Sequence, residues 1–276
     1  MSRASELRDL LAGLGIHPSR RLGQNFLVDT NLLEALVRDA NPRPGQTLLE
    51  VGPGAGVLTE ALLASQARVT AIELDHRLVA YLRQRFAGHP GLRLLQGDAC
   101  RTDYETLFGT EPFRCIANLP YSCSSPFLAR MADLDSAPLD LHVLLQREMA
   151  DRLAAGPGTP EYGAITVRVQ LRYSVRIVRA VPAQVFWPPP EVASAYVRFE
   201  RLAEPHPAAR RRRAGELAGV LFAQRRKQAA KLLGRHLGNL ELAVRALAAA
   251  GLPPDARGEV FAPADFARLA ACLENQ

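Results

Sequence analysis

Asn118-Leu119-Pro120-Tyr121 sets an amide, a proline carbonyl and a tyrosine ring side by side. The Asn118 amide and the Pro120 carbonyl can accept hydrogens from an exocyclic amino group. The Tyr121 ring can cover a flat base, a contact worth about 1–3 kcal/mol. Together they suit methylation of a base's amino nitrogen. The tetrapeptide follows the apolar run Phe113 to Ala117, which places it at the carboxyl end of a strand.

Other ligand-type residues close earlier strands. Glu50-Val51-Gly52-Pro53-Gly54-Ala55-Gly56 ends one strand and opens a helix. Its glycines let the backbone turn tightly and approach a ligand closely. The spacing is not that of a dinucleotide fingerprint, and Glu50 suits a cationic sulfonium or amino group better than a phosphate. Glu73 follows the next strand, where a carboxylate can accept both ribose hydroxyls. That disfavours a 2′-phosphate but does not separate NAD from S-adenosylmethionine. Asp98 ends the third strand and can accept from an adenine amino group. Singly, each acid is an ordinary solvated strand terminus. At three successive strand ends they mark the edge of an open sheet where ligands bind.

The elements that position these residues follow from periodicity. Strands are predicted at Thr47–Val51, Arg68–Ile72, Leu92–Gln96, Phe113–Ala117 and Leu139–Leu145. Helical segments at Val57–Ser65, Leu78–Phe86, from Pro126 and at Gln146–Ala154 alternate with them. This pattern predicts an α/β fold, a doubly wound and mostly parallel sheet. Two helices precede it, Ser5–Leu14 and Thr30–Ala40, joined by a polar connection from Arg20 to Asp29. Ile165–Tyr173 reads as a further helix. Arg176–Val181 and Ala195–Arg201 read as antiparallel strands joined by the Pro-rich stretch Val185 to Val192. After the linker Glu204-Pro205-His206-Pro207 the chain becomes Ala-, Leu- and Arg-rich with helical spacing. The predicted division is a catalytic domain over 1–203 and a small all-helical domain over 204–276.

With 276 residues, 48% hydrophobic, the chain can bury one full α/β core and a smaller second one. Its 34 Lys+Arg against 28 Asp+Glu give a net charge of +6, which favours a polyanionic partner. Arg210 to Arg213, Arg225-Arg226-Lys227, Lys231 and Arg235 cluster in the helical part, and Glu216 is the only acid between Arg210 and Arg235. One such run is ordinarily a solvated helix face; several on one small domain point to a phosphate-binding surface. The four cysteines form no C-x-x-C pair and the six histidines lack ligand spacing, so no metal is expected. No signal peptide or membrane span is expected either.

Taken as a series, these motifs resemble the ribosomal RNA adenine dimethyltransferases, in particular their bacterial small-subunit branch. The resemblance rests on Gly23-Gln24-Asn25-Phe26-Leu27, Glu50 to Gly56, Glu73, Asp98 and Asn118 to Tyr121. Two further stretches, Phe186 to Val192 and Phe222 to Lys227, extend it, so that it runs from about Arg20 to Leu233. It implies a Rossmann-like, S-adenosylmethionine-dependent catalytic fold with a helical C-terminal domain. It further implies that Asn25 and Leu27 contact the cofactor, Gly52 lies beneath its methionine portion, Glu73 holds the ribose and Asp98 the adenine. Asn118 would lie between cofactor and target base. Tyr121 would stack on a flipped-out adenine, with Phe186 either covering its other face or serving as a core aromatic. Arg225, Arg226 and Lys227 would hold RNA phosphates.

The implied partner is small-subunit rRNA in a pre-ribosomal particle, met in the cytoplasm by a monomer with no membrane attachment. Glu191, Gln228 and Ser122-Cys123-Ser124 depart from the usual motifs, which bears on RNA contacts and not on the chemistry. Two other readings are a macrolide-resistance-type methyltransferase of large-subunit rRNA and a non-catalytic assembly factor. The Tyr162-Gly163 stretch and Phe222 to Lys227 favour the small-subunit branch.

Overall fold

The structure is a computed structural model that describes residues 3–18, 23–203 and 206–274. Arg20, Arg21, Glu204 and Pro205, to which the connecting arm and the linker were assigned, lie outside the described residues. The chain opens with α1 (Arg3–Gly13), the two-residue β1 (Phe26–Leu27) and α2 (Thr30–Ala40). Asp29 caps α2 by accepting from the Leu32 N–H at 2.7 Å, and Asn41, left-handed at φ 47°, ends it before Pro42.

The alternating region then runs β2 (Thr47–Val51), α3 (Val57–Ala64), β3 (Arg68–Glu73), α4 (His76–Arg85), β4 (Leu92–Gln96), α5 (Tyr104–Phe108) and β5 (Phe113–Asn118). It continues through α6 (Ser124–Asp133), β6 (Asp140–Gln146), α7 (Arg147–Ala154), α8 (Ala164–Gln170), β7 (Tyr173–Val181), β8 (Phe186–Trp187) and β9 (Ser194–Arg201). Every residue of β2 is buried, as a central parallel strand covered on both faces requires. The seven-stranded sheet has the order β4-β3-β2-β5-β6-β9-β7. β2 through β6 pair in parallel, and β9 runs antiparallel to β6. The chain builds outward from β2 through β3 to β4, then crosses back to β5 on β2's other side. That reversal opens a crevice at the carboxyl ends of β2 and β5.

Three local expectations are corrected. α8 ends at Gln170 and Tyr173 already belongs to β7, because the β-branched run of this segment suits a strand. The connection before α2 is not wholly irregular: Phe26 pairs with Trp187 and Leu27 with Phe186 in a short antiparallel ribbon. The helix α5 arises where no periodicity was read; Asp103 caps its five residues.

The helical region comprises α9 (Ala208–Phe222), α10 (Ala229–Leu237), α11 (Leu240–Ala249) and α12 (Pro263–Glu274). Two compact units emerge, and their boundary differs from 203/204. One is Met1–Phe127, Ser136–Ala150 and Arg176–Glu200; the other is Leu128–Asp135, Asp151–Val175 and Arg201–Gln276. The second unit takes in α8 because Tyr162, Val167 and Leu171 share a core with Leu217 and Leu221 of α9. No helix among the described residues is long and apolar enough to cross a membrane.

Of the Arg210 to Arg213 run only Arg211 is buried, though all four donate to partners within this second unit. Arg211 is only 2% exposed. Its guanidinium donates to the carbonyls of Ala132 (3.3 Å), Leu134 (3.0 Å) and His206. Burial lowers its pKa to about 10, so it keeps its charge at neutral pH. Arg210 pairs with Glu274, Arg212 donates to the Asp133 carbonyl and Arg213 pairs with Glu216. The quartet ties segments of the unit together.

Candidate active site

A cavity of about 530 Å³ lies at the β2/β5 crevice, within the first unit, and gathers most of the residues singled out by sequence. Asn25, Leu27, Gly52, Glu73, Asp98 and Asn118 all line it. Its walls need close backbone approach. Gly52 sits at φ +67°, and a Cβ there would lie 2.8 Å from the Pro120 ring. Gly23 sits at φ +63°, where a Cβ would meet the Tyr121 N–H nitrogen at 2.7 Å. Only glycine lets the first loop and the N-terminal arm close on the Asn118 to Tyr121 turn.

The carboxylates differ in their surroundings. Glu73 is buried; its Oε2 accepts from the Gly54 N–H at 3.1 Å, and its Oε1 from Leu74 and Asp75 N–H at 2.8 and 3.0 Å. Burial raises its pKa, against the three backbone donors that lower it. Those donors fix the carboxylate plane towards the cavity. Asp98 is half exposed; its Oδ1 accepts from the Cys100 N–H at 2.8 Å, which leaves Oδ2 with only a long approach from Arg101 at 3.7 Å.

Glu50 is 1% exposed and is held by Thr59, whose hydroxyl donates to its Oε2 at 2.7 Å and whose backbone N–H adds a second interaction. Burial, with Glu73 nearby as a second contributor, pushes its carboxyl up to about 8. The ligand-free protein therefore holds Glu50 neutral at pH 7. The raised value makes the folded state bind more protons than the unfolded one from about 4.5 to about 8, so this contribution to stability is lost as pH rises through that window. No Lys or Arg pairs with Glu50 or Glu73 among the described residues. An entering cation would meet both. Cofactor binding at pH 7 is expected to release about one proton, measured by calorimetry in buffers of different ionisation enthalpy. Glu50→Gln is expected to abolish the release; an unchanged release in that variant would remove Glu50 as the source.

At the reacting end, Asn118 Nδ2 donates to the Asn25 carbonyl at 2.8 Å. A carbonyl only accepts, so this bond fixes the amide's orientation and leaves Oδ1 as an acceptor on its other edge. The Pro120 carbonyl does not play the part expected of it. It accepts from the Cys123 N–H (3.1 Å), the Cys123 thiol (3.3 Å) and the Ser124 hydroxyl (3.2 Å), closing the 3-10 turn Tyr121–Cys123. Its lone pairs are consumed by that turn. Tyr121 lies beside the cavity, with its hydroxyl bonded to that of Ser194.

Phe186 is a second correction. It is 2% exposed and packs in the core with Leu27, Leu144 and Tyr196, so its ring has no free face for a base. Sequence reasoning missed Thr59, the partner of Glu50, and the apolar wall supplied by Leu7 and Leu10 of α1. It also missed Leu74, which lines the cavity 54% exposed directly after Glu73. The sequence shows a leucine directly after the strand-end acid; its exposure to the cavity is seen only in the structure.

Arg225 to Lys227 lie in the second unit, and the structure separates their roles. The Arg225 guanidinium pairs with Glu259 at 2.9 Å and donates to the carbonyls of Pro160 (2.6 Å) and Thr159 (3.2 Å). Each of its three nitrogens already has a partner within this unit, which speaks for a structural role rather than the phosphate contact expected of it. Arg226 and Lys227 are exposed in the turn that Arg225 holds.

A Rossmann-like sheet with an antiparallel penultimate strand carries, at its switch point, unpaired buried carboxylates facing an apolar cavity. That donor set fits a ribosyl, adenine-bearing cation, and the class so defined is the S-adenosylmethionine-dependent methyltransferases. The model of the ribosomal RNA adenine dimethylase family matches residues 17–270, and the chain belongs to that family. It is 40% identical to the ribosomal RNA small subunit methyltransferase A of Kineococcus radiotolerans over 270 residues, which cover 97% of this chain and 90% of that protein. Among solved structures, the 23S rRNA methyltransferase ErmE is 28% identical with a TM-score of 0.64, over 91% of this chain and 100% of that one. A dimethyladenosine transferase from Plasmodium falciparum shares the fold at a TM-score of 0.74 and 22% identity, over 91% and 98% of the two chains.

Proposed function

We propose that this protein dimethylates the N6 amino groups of two adjacent adenosines in the 3′-terminal hairpin of small-subunit (16S) rRNA. It would act late in small-subunit biogenesis, as a cytoplasmic monomer on a pre-ribosomal particle. The observation that carries the reading is the Asn118 amide, oriented by the Asn25 carbonyl beside a carboxylate-lined cavity. The small-subunit assignment is supported by 40% identity to a small-subunit methyltransferase against 28% to a large-subunit one. Tyr162 and Phe222, from the stretches that favoured the small-subunit branch, pack edge to face at 5.5 Å.

The residues that line the cavity fit the cofactor's chemistry: Glu50 would face its cationic end, Glu73 would hold the ribose hydroxyls and Asp98 the adenine amino group. Gly52, Asn25 and Leu27 complete the wall. When bound, S-adenosylmethionine supplies an electrophilic methyl group. The chain's own residues prepare the nucleophile. An adenine N6 lone pair is delocalised into its ring; accepting its hydrogens favours pyramidalisation and aims the lone pair at the methyl group. Asn118 Oδ1 would accept one hydrogen, while the Pro120 carbonyl is committed to its turn. No strong base is required: the nitrogen that gains the methyl group would become an acidic cation and lose its surplus proton to water. By fixing the amino nitrogen's orientation, the Asn118 amide would make the step effectively unimolecular. Tyr121 stacks on the extruded base.

We assign the RNA backbone to the helical region, through Arg226, Lys227, Lys231 and Arg235. The test is methylation of small subunits lacking these methyl groups, with labelled S-adenosylmethionine and mapping of the modified bases. Label in two adjacent 16S adenosines is the expected result. Label confined to 23S rRNA would favour the large-subunit reading, and cofactor binding without transfer the assembly-factor reading.

A further inference from the structure

We propose that Ser194 is a positioning residue that sets the plane of the Tyr121 ring against the target base. The inference rests on the stacking role given to Tyr121 above. Tyr121 starts the turn after β5, and its hydroxyl meets the Ser194 hydroxyl, 73 residues further along the chain. Ser194 is 0% exposed and is the first residue of β9. Its place is fixed by the sheet: it sits in register with Gln146, the last residue of β6, and the Arg147 N–H donates to the Ala193 carbonyl at 2.9 Å.

A tyrosine held only at its Cα can swing about two side-chain torsions. A hydrogen bond at the far end of the ring removes that freedom. The tether matters because Phe186 is buried in the core and is not available on the other face to correct a tilt of Tyr121. The bond also satisfies a phenol that is largely withdrawn from water, and burial raises that phenol's pKa accordingly. Ser194 touches neither cofactor nor base in this arrangement; it acts through the tyrosine.

The experiment is a double-mutant cycle on Tyr121→Phe and Ser194→Ala, read as single-turnover methyl transfer to undermethylated small subunits with cofactor affinity measured in parallel. Each single variant is expected to slow transfer about three- to tenfold, the scale of one neutral hydrogen bond, with cofactor affinity unchanged. The double variant is expected to be no slower than either single one, and Ser194→Thr, which keeps the hydroxyl, to recover most of the rate. A second readout is the quenching of 2-aminopurine placed at the target position of the RNA, expected to weaken in Ser194→Ala. Additive effects in the cycle, or unchanged quenching, would overturn the positioning role. Tyr121→Ala separates the two readings. If it leaves transfer unchanged, the stacking role itself fails; if it slows transfer while Ser194→Ala does not, only the tether fails.

Discussion

Replacing Asn118 by alanine is expected to slow methyl transfer roughly 10²–10³-fold, the scale for removing one preorganised hydrogen-bonding group from a transition state. Cofactor and RNA affinity should change by no more than a few-fold, because the amide is assigned to the reacting nitrogen and not to docking. The structural basis is directional. Asn25's carbonyl can only accept, so the Nδ2 edge is committed and the Oδ1 edge is set as an acceptor before any ligand arrives. Asn118→Asp makes the same point from the other side. It retains an acceptor but sets a carboxylate against the Asn25 carbonyl, so the group loses its orientation and the variant should remain strongly impaired. Single-turnover rates and equilibrium binding on undermethylated subunits separate the terms. A variant that loses RNA affinity but transfers at the normal rate would move Asn118 from chemistry to docking.

The strand-end constellation was legible in the sequence because it depends on local pattern. β2 is an unbroken buried strand, Glu73 ends the next and Asp98 lies just past the one after, and each loop begins where apolar periodicity stops. What sequence could not show were commitments made through distant carbonyls. Arg225 reads as a free cation beside Arg226, yet its partners lie 34, 65 and 66 residues away along the chain. Arg211 likewise spends its donors on carbonyls 77 and 79 residues away. Charge runs report composition; only the fold reports which donors are already used. The Pro120 carbonyl failed for a related reason, since a 3-10 turn three residues long leaves no periodic trace but consumes the acceptor that opens it. Phe186 was misjudged because a two-residue strand is too short to alternate, so its buried face could not be read.

The same distinction yields the second large effect, now for RNA. Lys231 and Arg235 lie four residues apart on α10 and therefore share one face, and Arg226 and Lys227 are exposed in the turn before it. No acid occurs from Arg226 to Leu240, and none of the four cations is paired among the described residues. Changing all four to glutamine is expected to flatten the salt dependence of RNA binding by about 3 log units per log unit of salt, at roughly 0.7–0.9 for each phosphate left without its cation. At about 0.1 M salt that corresponds to a loss of affinity of roughly 10³-fold, with cofactor affinity unchanged because the cavity lies within the other unit. Arg225→Gln should behave in the opposite way. It removes an ion pair and two bonds to carbonyls that hold the turn, so it should lower the melting temperature while leaving nearly the full salt slope. If the quadruple variant keeps the normal slope, these cations form a solvated helix face. If Arg225→Gln alone flattens the slope as much as one neutralised phosphate does, its pairing with Glu259 must exchange for phosphate when RNA binds.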